Sequence, residues 1–156
     1  TTVELPEDDP LFRSYRSRTT EAERQMFKAR QAENLRLPNI KALKVNSFFL
    51  PAHVDGLFDL IWVDGGHLYP EVAWDICNAW HLVAPGGFVF FDDVVSDRRF
   101  RRNTLISSES YDVLEYLQAR VPSANLTLFL KRRFPFRSGD VLKRTFVAAV
   151  RKAPVV

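Results

Sequence analysis

The sequence predicts an α/β fold built on an open, mostly parallel sheet with helices on both faces. Apolar stretches that are typical of buried strands alternate along the chain with amphipathic stretches that are typical of helices. The last two strand-like stretches have no helix between them, so we expect an antiparallel C-terminal hairpin at one sheet edge. A length of 156 residues suits one hydrophobic core, and we expect a single domain over 1–156.

Six apolar stretches are predicted as strands, at 1–5, 40–45, 57–63, 88–93, 125–130 and 144–152. The stretch at 57–63 is almost continuously apolar, which is the pattern of a strand buried on both faces of a parallel sheet. Trp62 is therefore expected in the core. The segment "APGG" at 84–87 is predicted as the link that precedes the strand at 88–93.

Three helices are predicted from capping signals and apolar periodicity. The first lies within 19–38, where Thr20 and Glu23 form a capping box and Pro38 marks the end. The second begins near Pro70 and buries a stripe at positions i, i+4 and i+8: Val72, Ile76 and Trp80. The third covers about 109–120.

Composition is that of an ordinary globular protein, with 46% hydrophobic and 26% charged residues. No run of eighteen apolar residues occurs, so neither a membrane span nor a membrane partner is expected. Cys77 is the single cysteine, which excludes an internal disulfide and a cysteine-based zinc site. We expect Cys77 to pack in the core and the protein to reside in the reducing cytoplasm.

The basic residues are clustered although the net charge is only +3. The clusters are Arg13, Arg16 and Arg18, "RRFRR" at 98–102, and "KRR" at 131–133. They could meet the phosphates of a nucleic acid, or they could form solvated basic loops. The second interpretation is favoured, so nucleic acid is a less expected partner than a small molecule.

Polar and acidic residues follow the predicted parallel strands, where open α/β sheets bind their ligands. They are Glu4, Asn46, Ser47, Asp64, His67, Asp92 and Asp93. Acids gathered at one edge repel each other unless a cation or several hydrogen-bond donors compensate. This gathering is the main physical indication of function in the sequence.

Three of these carboxylates, from Asp64, Asp92 and Asp93, follow two strands that we expect to be neighbours. Oxygen ligands of this kind suit Mg²⁺, although such acids can also cap turns. His67 lies three residues after Asp64 and could act as a general base, because its ordinary pKa is near neutral. The alternative is a helix-start residue that is hydrogen-bonded locally.

The stretch "FDLIWVDGGHLYPEVAWDICNAWHLVAPGGFVFFDDV" at 58–94 resembles a segment of class I S-adenosylmethionine-dependent methyltransferases. Its pattern D-G-x-H-x-Y, followed by L-x-P-G-G before a strand that ends in Asp, is typical of the small-molecule branch. The resemblance implies a Rossmann-like fold, S-adenosylmethionine as the cofactor, and O-methylation of a small-molecule hydroxyl. A homo-oligomer is compatible with this class.

The resemblance also implies roles for individual residues. Glu4 takes the position of the acid that binds the cofactor ribose. Asn46, with Ser47, takes the adenine position, where the family more often has Asp. The spacing is similar to that of metal-dependent sugar and macrolide O-methyltransferases, which implies that Asp64 serves both cofactor binding and catalysis, that His67 removes the hydroxyl proton, and that Mg²⁺ is held by Asp64, Asp92 and Asp93.

The family's first strand and glycine-rich cofactor loop have no counterpart in the sequence. We therefore expect an N-terminally incomplete domain, that is, the C-terminal portion of a longer protein. Two alternatives stay open at this point. One is a non-catalytic α/β module that binds nucleic acid or a protein partner through the basic clusters, and the other is an RNA or DNA methyltransferase.

Overall fold

The computed structural model describes residues 1–6, 9, 20–100, 107–135 and 142–154. It has the α/β architecture that the sequence predicts, in two compact units, Thr1–His53 and Val54–Val156. In the described part of the chain, no helix combines the length and the apolar character needed to cross a membrane.

The first unit contains a two-stranded parallel sheet of β1 (Thr2–Glu4) and β2 (Ala42–Lys44). Helix α1 (Glu21–Asn34) lies between them in sequence. The predicted capping box is present: Thr20 Oγ1 accepts the Glu23 N–H at 3.3 Å, and the Glu23 carboxylate accepts the Thr20 N–H at 2.8 Å. The helix ends at Asn34, ahead of Pro38, and a 3₁₀ helix at Ser47–Ala52 follows β2.

The second unit is a four-stranded sheet in the order β3-β4-β6-β5. Its elements are β3 (Phe58–Val63), α2 (Glu71–Leu82), β4 (Val83–Val94), α3 (Glu109–Arg120), β5 (Ala124–Pro135) and β6 (Leu142–Lys152). Strands β3 and β4 are parallel and joined by α2, whereas β6 runs antiparallel to both β4 and β5. The predicted hairpin is confirmed. "APGG" is not a link, because β4 already begins at Val83.

Both helices of this unit contribute to one hydrophobic core on one face of the sheet. Ile76 of α2 and Leu114 of α3 are fully buried there with Val89 and Val150 of the strands. Burying side chains of this size supplies most of the free energy that holds helices to a sheet, at about 1.5–3 kcal/mol for each large apolar residue.

The opposite face of this sheet is apolar and exposed. Leu60, Trp62 and Phe88 are 60%, 54% and 39% exposed, and the Trp62 ring stacks on Phe90 with centroids 5.9 Å apart. The predictions that β3 is buried on both faces and that Trp62 is in the core are therefore wrong. The physical reason is that, within the described residues of this unit, α2 and α3 pack on the face of Ile61 and leave the face of Trp62 uncovered.

Helix α2 buries a stripe that differs slightly from the predicted one. Its buried residues are Val72, Ile76, Ala79 and Leu82, while Trp80 is partly buried against the core. Cys77 lies off this stripe and is exposed, so the prediction of a core cysteine is wrong.

Candidate functional site

Glu4 and Asn46 lie at the same edge of the two-stranded sheet in the first unit. The parallel pairing sets Glu4 opposite Lys44, and the Val45 N–H donates to the Glu4 carbonyl at 2.9 Å. Asn46 and Ser47 follow directly, and Glu4, Asn46 and Ser47 are all half-buried. Their assignment as cofactor ligands stays a prediction.

The Asn46 side chain also has a structural role that the sequence did not indicate. Its Oδ1 accepts the Phe48 N–H at 3.0 Å, which caps the 3₁₀ helix, and its Nδ2 donates to Asp9 Oδ2 at 2.9 Å. These two bonds fix the amide plane. A planar ligand at this strand end would therefore meet an amide whose orientation is already set.

In the second unit, the ends of β3 and β4 are neighbours, as expected. The last regular pair between them is Val63 with Phe91, and Asp64 and Asp92 follow immediately. Asp64 is exposed, whereas Asp92 and Asp93 are half-buried. The carboxylate of Asp64 therefore has different surroundings from the carboxylates of Asp92 and Asp93.

The turn after Asp64 packs closely on the start of α2. Gly65 packs against the Asp75 side chain, and a Cβ atom added there would displace the Asp75 carboxylate. Two residues later lies His67, which is half-buried and four residues ahead of α2. The glycine thus has a packing reason that is separate from the chemistry of its neighbours.

The carboxylates at the end of β4 are bound by a lysine of β5. Lys131 Nζ lies 2.6 Å from each carboxylate oxygen of Asp92 and 3.1 Å from Asp93 Oδ1. The Asp93 N–H also donates to Asp92 Oδ1 at 2.8 Å. In the sequence, Lys131 is only the first member of a basic cluster, and its role depends on a strand order that no local pattern reveals.

These contacts shift the pKa values of both partners. Burial is the largest single influence on Asp92 and favours its neutral form, but the hydrogen bonds from Lys131 and the Asp93 N–H outweigh it. The Lys131 charge and His67 add to this effect, so the pKa of Asp92 lies below its ordinary value. The hydrogen bond to Asp92 is the main reason that the pKa of Lys131 is raised.

The arrangement does not fit a divalent ion at Asp64, Asp92 and Asp93. Within the described residues, no three acidic, histidine or cysteine side chains form a group that could hold a metal. The Lys131 ammonium already lies between Asp92 and Asp93. A magnesium site here stays a prediction that requires Lys131 to move.

Other basic residues of the predicted clusters also have acidic partners. Arg98 binds Asp112 at 2.9 Å and Glu115 at 2.6 Å on α3, and Arg99 binds Asp97. These pairs favour a structural role for the described part of the "RRFRR" cluster. Its residues 101 and 102, and the arginines at 13, 16 and 18, lie outside the described residues.

A family model described as a methyltransferase domain matches residues 2–94, which is more than half of the chain. The chain belongs to this methyltransferase domain family. The match includes both predicted groups of site residues, from Glu4 to Asp93. No curated protein sequence matches the chain significantly.

Solved structures with the same fold are distant in sequence. The O-methyltransferase TomG of Streptomyces achromogenes, involved in tomaymycin synthesis and solved with S-adenosylmethionine, is 16% identical with a TM-score of 0.57, over 97% of this chain and 72% of TomG. An rRNA methylase of Streptococcus thermophilus is 14% identical with a TM-score of 0.51, over 80% of this chain and 64% of that protein. A cofactor-bound protein of Mycobacterium tuberculosis is 16% identical with a TM-score of 0.52, over 74% of this chain and 50% of that protein. These matches establish a Rossmann-like fold, and the chain spans less than two thirds of the last two proteins.

Proposed function

We propose that the protein is an S-adenosylmethionine-dependent methyltransferase that methylates a hydroxyl group of a small molecule. The observation that supports this most strongly is the family match over residues 2–94, together with Asp64 and His67 at the carboxyl end of a parallel strand. The structural similarity to TomG, an O-methyltransferase solved with this cofactor, supports the same proposal.

In this proposal the residues at the ends of β1 and β2 have the roles that the family resemblance implies for them. The Glu4 carboxylate accepts hydrogen bonds from the ribose hydroxyls. Asn46 Oδ1 accepts one hydrogen bond from the Phe48 N–H and has a second lone pair that can accept from the adenine amino group. The Ser47 hydroxyl adds a further donor and acceptor at the same strand end.

The chemical step requires a base and a fixed direction of attack. When bound, the cofactor would supply an electrophilic methyl group to the substrate oxygen and would leave as S-adenosylhomocysteine. His67 would accept the proton of the substrate hydroxyl. Holding both reactants in line supplies most of the acceleration.

Binding of the cofactor tests this proposal before the acceptor is known. S-adenosylmethionine and S-adenosylhomocysteine are titrated into the full-length protein by calorimetry, with titration into buffer alone as the control. We expect saturable binding of both, because the two share the groups that Glu4 and Asn46 would contact. Absence of heat at millimolar cofactor contradicts the proposal.

An RNA acceptor is the second candidate, because one structure of the same fold is an rRNA methylase. The ion pairs of Arg98 and Arg99 favour a small molecule, since both guanidinium groups already contact acids. Binding to an RNA oligonucleotide that weakens steeply with salt would favour the RNA acceptor, because phosphate contacts release counterions.

A further inference from the structure

We propose that Lys131 is the resident cation of the Asp92–Asp93 carboxylate pair, and that its ammonium takes the place that a divalent metal would have there. The protein would then use this strand end without a metal. The link to catalysis rests on the proposed function, whereas the position of the cation rests on the geometry alone.

The contacts of Lys131 match the number of its hydrogen-bond donors. An ammonium has three N–H groups, and Lys131 Nζ has three carboxylate oxygens within hydrogen-bond distance, two of Asp92 at 2.6 Å and one of Asp93 at 3.1 Å. The side chains of Lys131 and Asp92 are only 24% and 13% exposed. Two adjacent carboxylates at this burial require a positive charge nearby, and Lys131 provides it.

Irregularities in two strands bring these groups together. The regular pairing of β4 with β6 is interrupted between Phe91 and Val94, which makes Asp92 and Asp93 a bulge. Asp93 has a φ of 49°, in the left-handed region that a non-glycine residue rarely adopts. The pairing of β5 with β6 is interrupted between Leu130 and Arg132, so Lys131 is the unpaired residue of a second irregularity.

The two irregularities lie on opposite sides of the same stretch of β6. Phe146 of β6 pairs with Val94 of β4 on one side and with Leu130 of β5 on the other. Lys131 therefore reaches across β6 to the acids of β4. A bulge turns a side chain away from the regular alternation of a strand, and both bulges here serve the same ion pair.

The consequence for the site is a positioning role for Lys131. It holds the Asp92 carboxylate in place and cancels one of the two negative charges at this strand end. The net charge of the three groups is then −1, which leaves little attraction for a divalent ion.

Manganese binding tests this inference without any knowledge of the acceptor. The full-length protein is titrated with Mn²⁺, and the free ion is measured by electron paramagnetic resonance. We expect wild-type affinity weaker than about 1 mM, and a gain of at least about tenfold in Lys131→Met, because the competing charge is gone. Lys131→Gln serves as a second neutral variant if Lys131→Met does not fold, which circular dichroism checks.

Matched variants distinguish an effect of the positive charge at position 131 from a general effect of substitution on Mn²⁺ affinity. Lys131→Arg keeps the positive charge, and Lys152→Met removes an ammonium that donates to the carbonyls of Trp80 and Val83 instead of carboxylates. Neither should gain Mn²⁺ affinity, and adding Asp92→Asn to Lys131→Met should remove the gain. Two results would overturn the inference. One is tight Mn²⁺ binding by the wild type that Asp92→Asn abolishes, and the other is no gain in Mn²⁺ affinity in folded Lys131→Met or Lys131→Gln. Neither result depends on cofactor binding, so failure of the proposed function is detected separately.

Discussion

The ends of β3 and β4 are adjacent parallel strand ends with acidic residues, yet they differ in their physical setting. Asp64 follows β3 on a glycine turn and is exposed. Asp92 and Asp93 lie in a bulge of β4, half-buried and paired with Lys131. The three acids look equivalent in the sequence. In the structure, Lys131 of β5 neutralises part of the charge of Asp92 and Asp93, whereas Asp64 stays accessible to solvent.

This comparison assigns different tasks to the two ends. The β3 end, with Asp64 and His67, carries the groups that meet ligands in the proposed function. The β4 end carries an internally compensated pair, in which the Lys131 ammonium binds Asp92 and Asp93. Substitutions at the β3 end should therefore affect turnover or cofactor affinity, and substitutions at the β4 end should affect the free energy of unfolding.

The largest effect is expected for His67→Ala at the β3 end. Loss of a general base typically costs about 10²–10⁴ in rate, so methyl transfer to the acceptor should fall by that factor while the affinity for S-adenosylhomocysteine is unchanged. Transfer of a labelled methyl group and calorimetry measure the two quantities. His81→Ala, at an exposed position near the end of α2, is the matched control and should retain the wild-type rate. Unchanged turnover in His67→Ala would show that the imidazole is structural.

At the β4 end, Lys131→Met should lower the free energy of unfolding by about 1–3 kcal/mol, because two half-buried carboxylates lose their partner. Urea unfolding measures this change. Arg98→Met removes a guanidinium that is 57% exposed although it also contacts two acids, and it should cost less stability than Lys131→Met because solvent screens the pair. Equal losses of unfolding free energy in Lys131→Met and Arg98→Met would show that the Lys131 ion pair stabilises the fold no more than the exposed Arg98 ion pair.

The stability provided by the Lys131 pair should depend on pH at both extremes. The pKa of Asp92 is lowered from 3.8, so its contribution is present above that value and is lost as the pH falls through the lower pKa of the folded state. The pKa of Lys131 is raised from 10.5, so its contribution is present below 10.5 and is lost as the pH rises beyond it.

The difference in unfolding free energy between wild type and Lys131→Met should therefore be largest between pH 3.8 and 10.5 and shrink on either side. Urea unfolding over a pH series measures it. A difference that stays constant below pH 3.8 would show that Lys131 stabilises the fold through packing of its side chain rather than through its charge.

The smallest effect on stability is expected for Asp64→Asn. Asp64 is exposed, and substitutions at exposed positions change the unfolding free energy by less than about 0.5 kcal/mol. Affinity for the cofactor should fall nonetheless if this carboxylate meets the ligand. Asp55→Asn, also exposed and located before β3, should change neither quantity. A large loss of stability in Asp64→Asn would show that the Asp64 carboxylate, like that of Asp92, stabilises the fold.

The sequence predicted the elements whose signals are local. The capping box of α1, the β3–α2–β4 unit and the C-terminal hairpin all follow from patterns within one short stretch of the chain each. The exposure of Trp62 could not be predicted, because it depends on which face of the sheet α2 and α3 cover. The partner of Asp92 could not be predicted either, because Lys131 lies across β6. The Asn46–Asp9 bond likewise joins residues far apart in the chain.

The central claim is that the protein binds S-adenosylmethionine for methyl transfer at a strand edge that carries its own cation. Calorimetric titration of S-adenosylmethionine into the full-length protein in excess EDTA tests it most directly. The account predicts saturable binding at one cofactor per chain, with the same affinity as in the absence of EDTA. No binding at millimolar cofactor, or binding that disappears when EDTA is added, would contradict it.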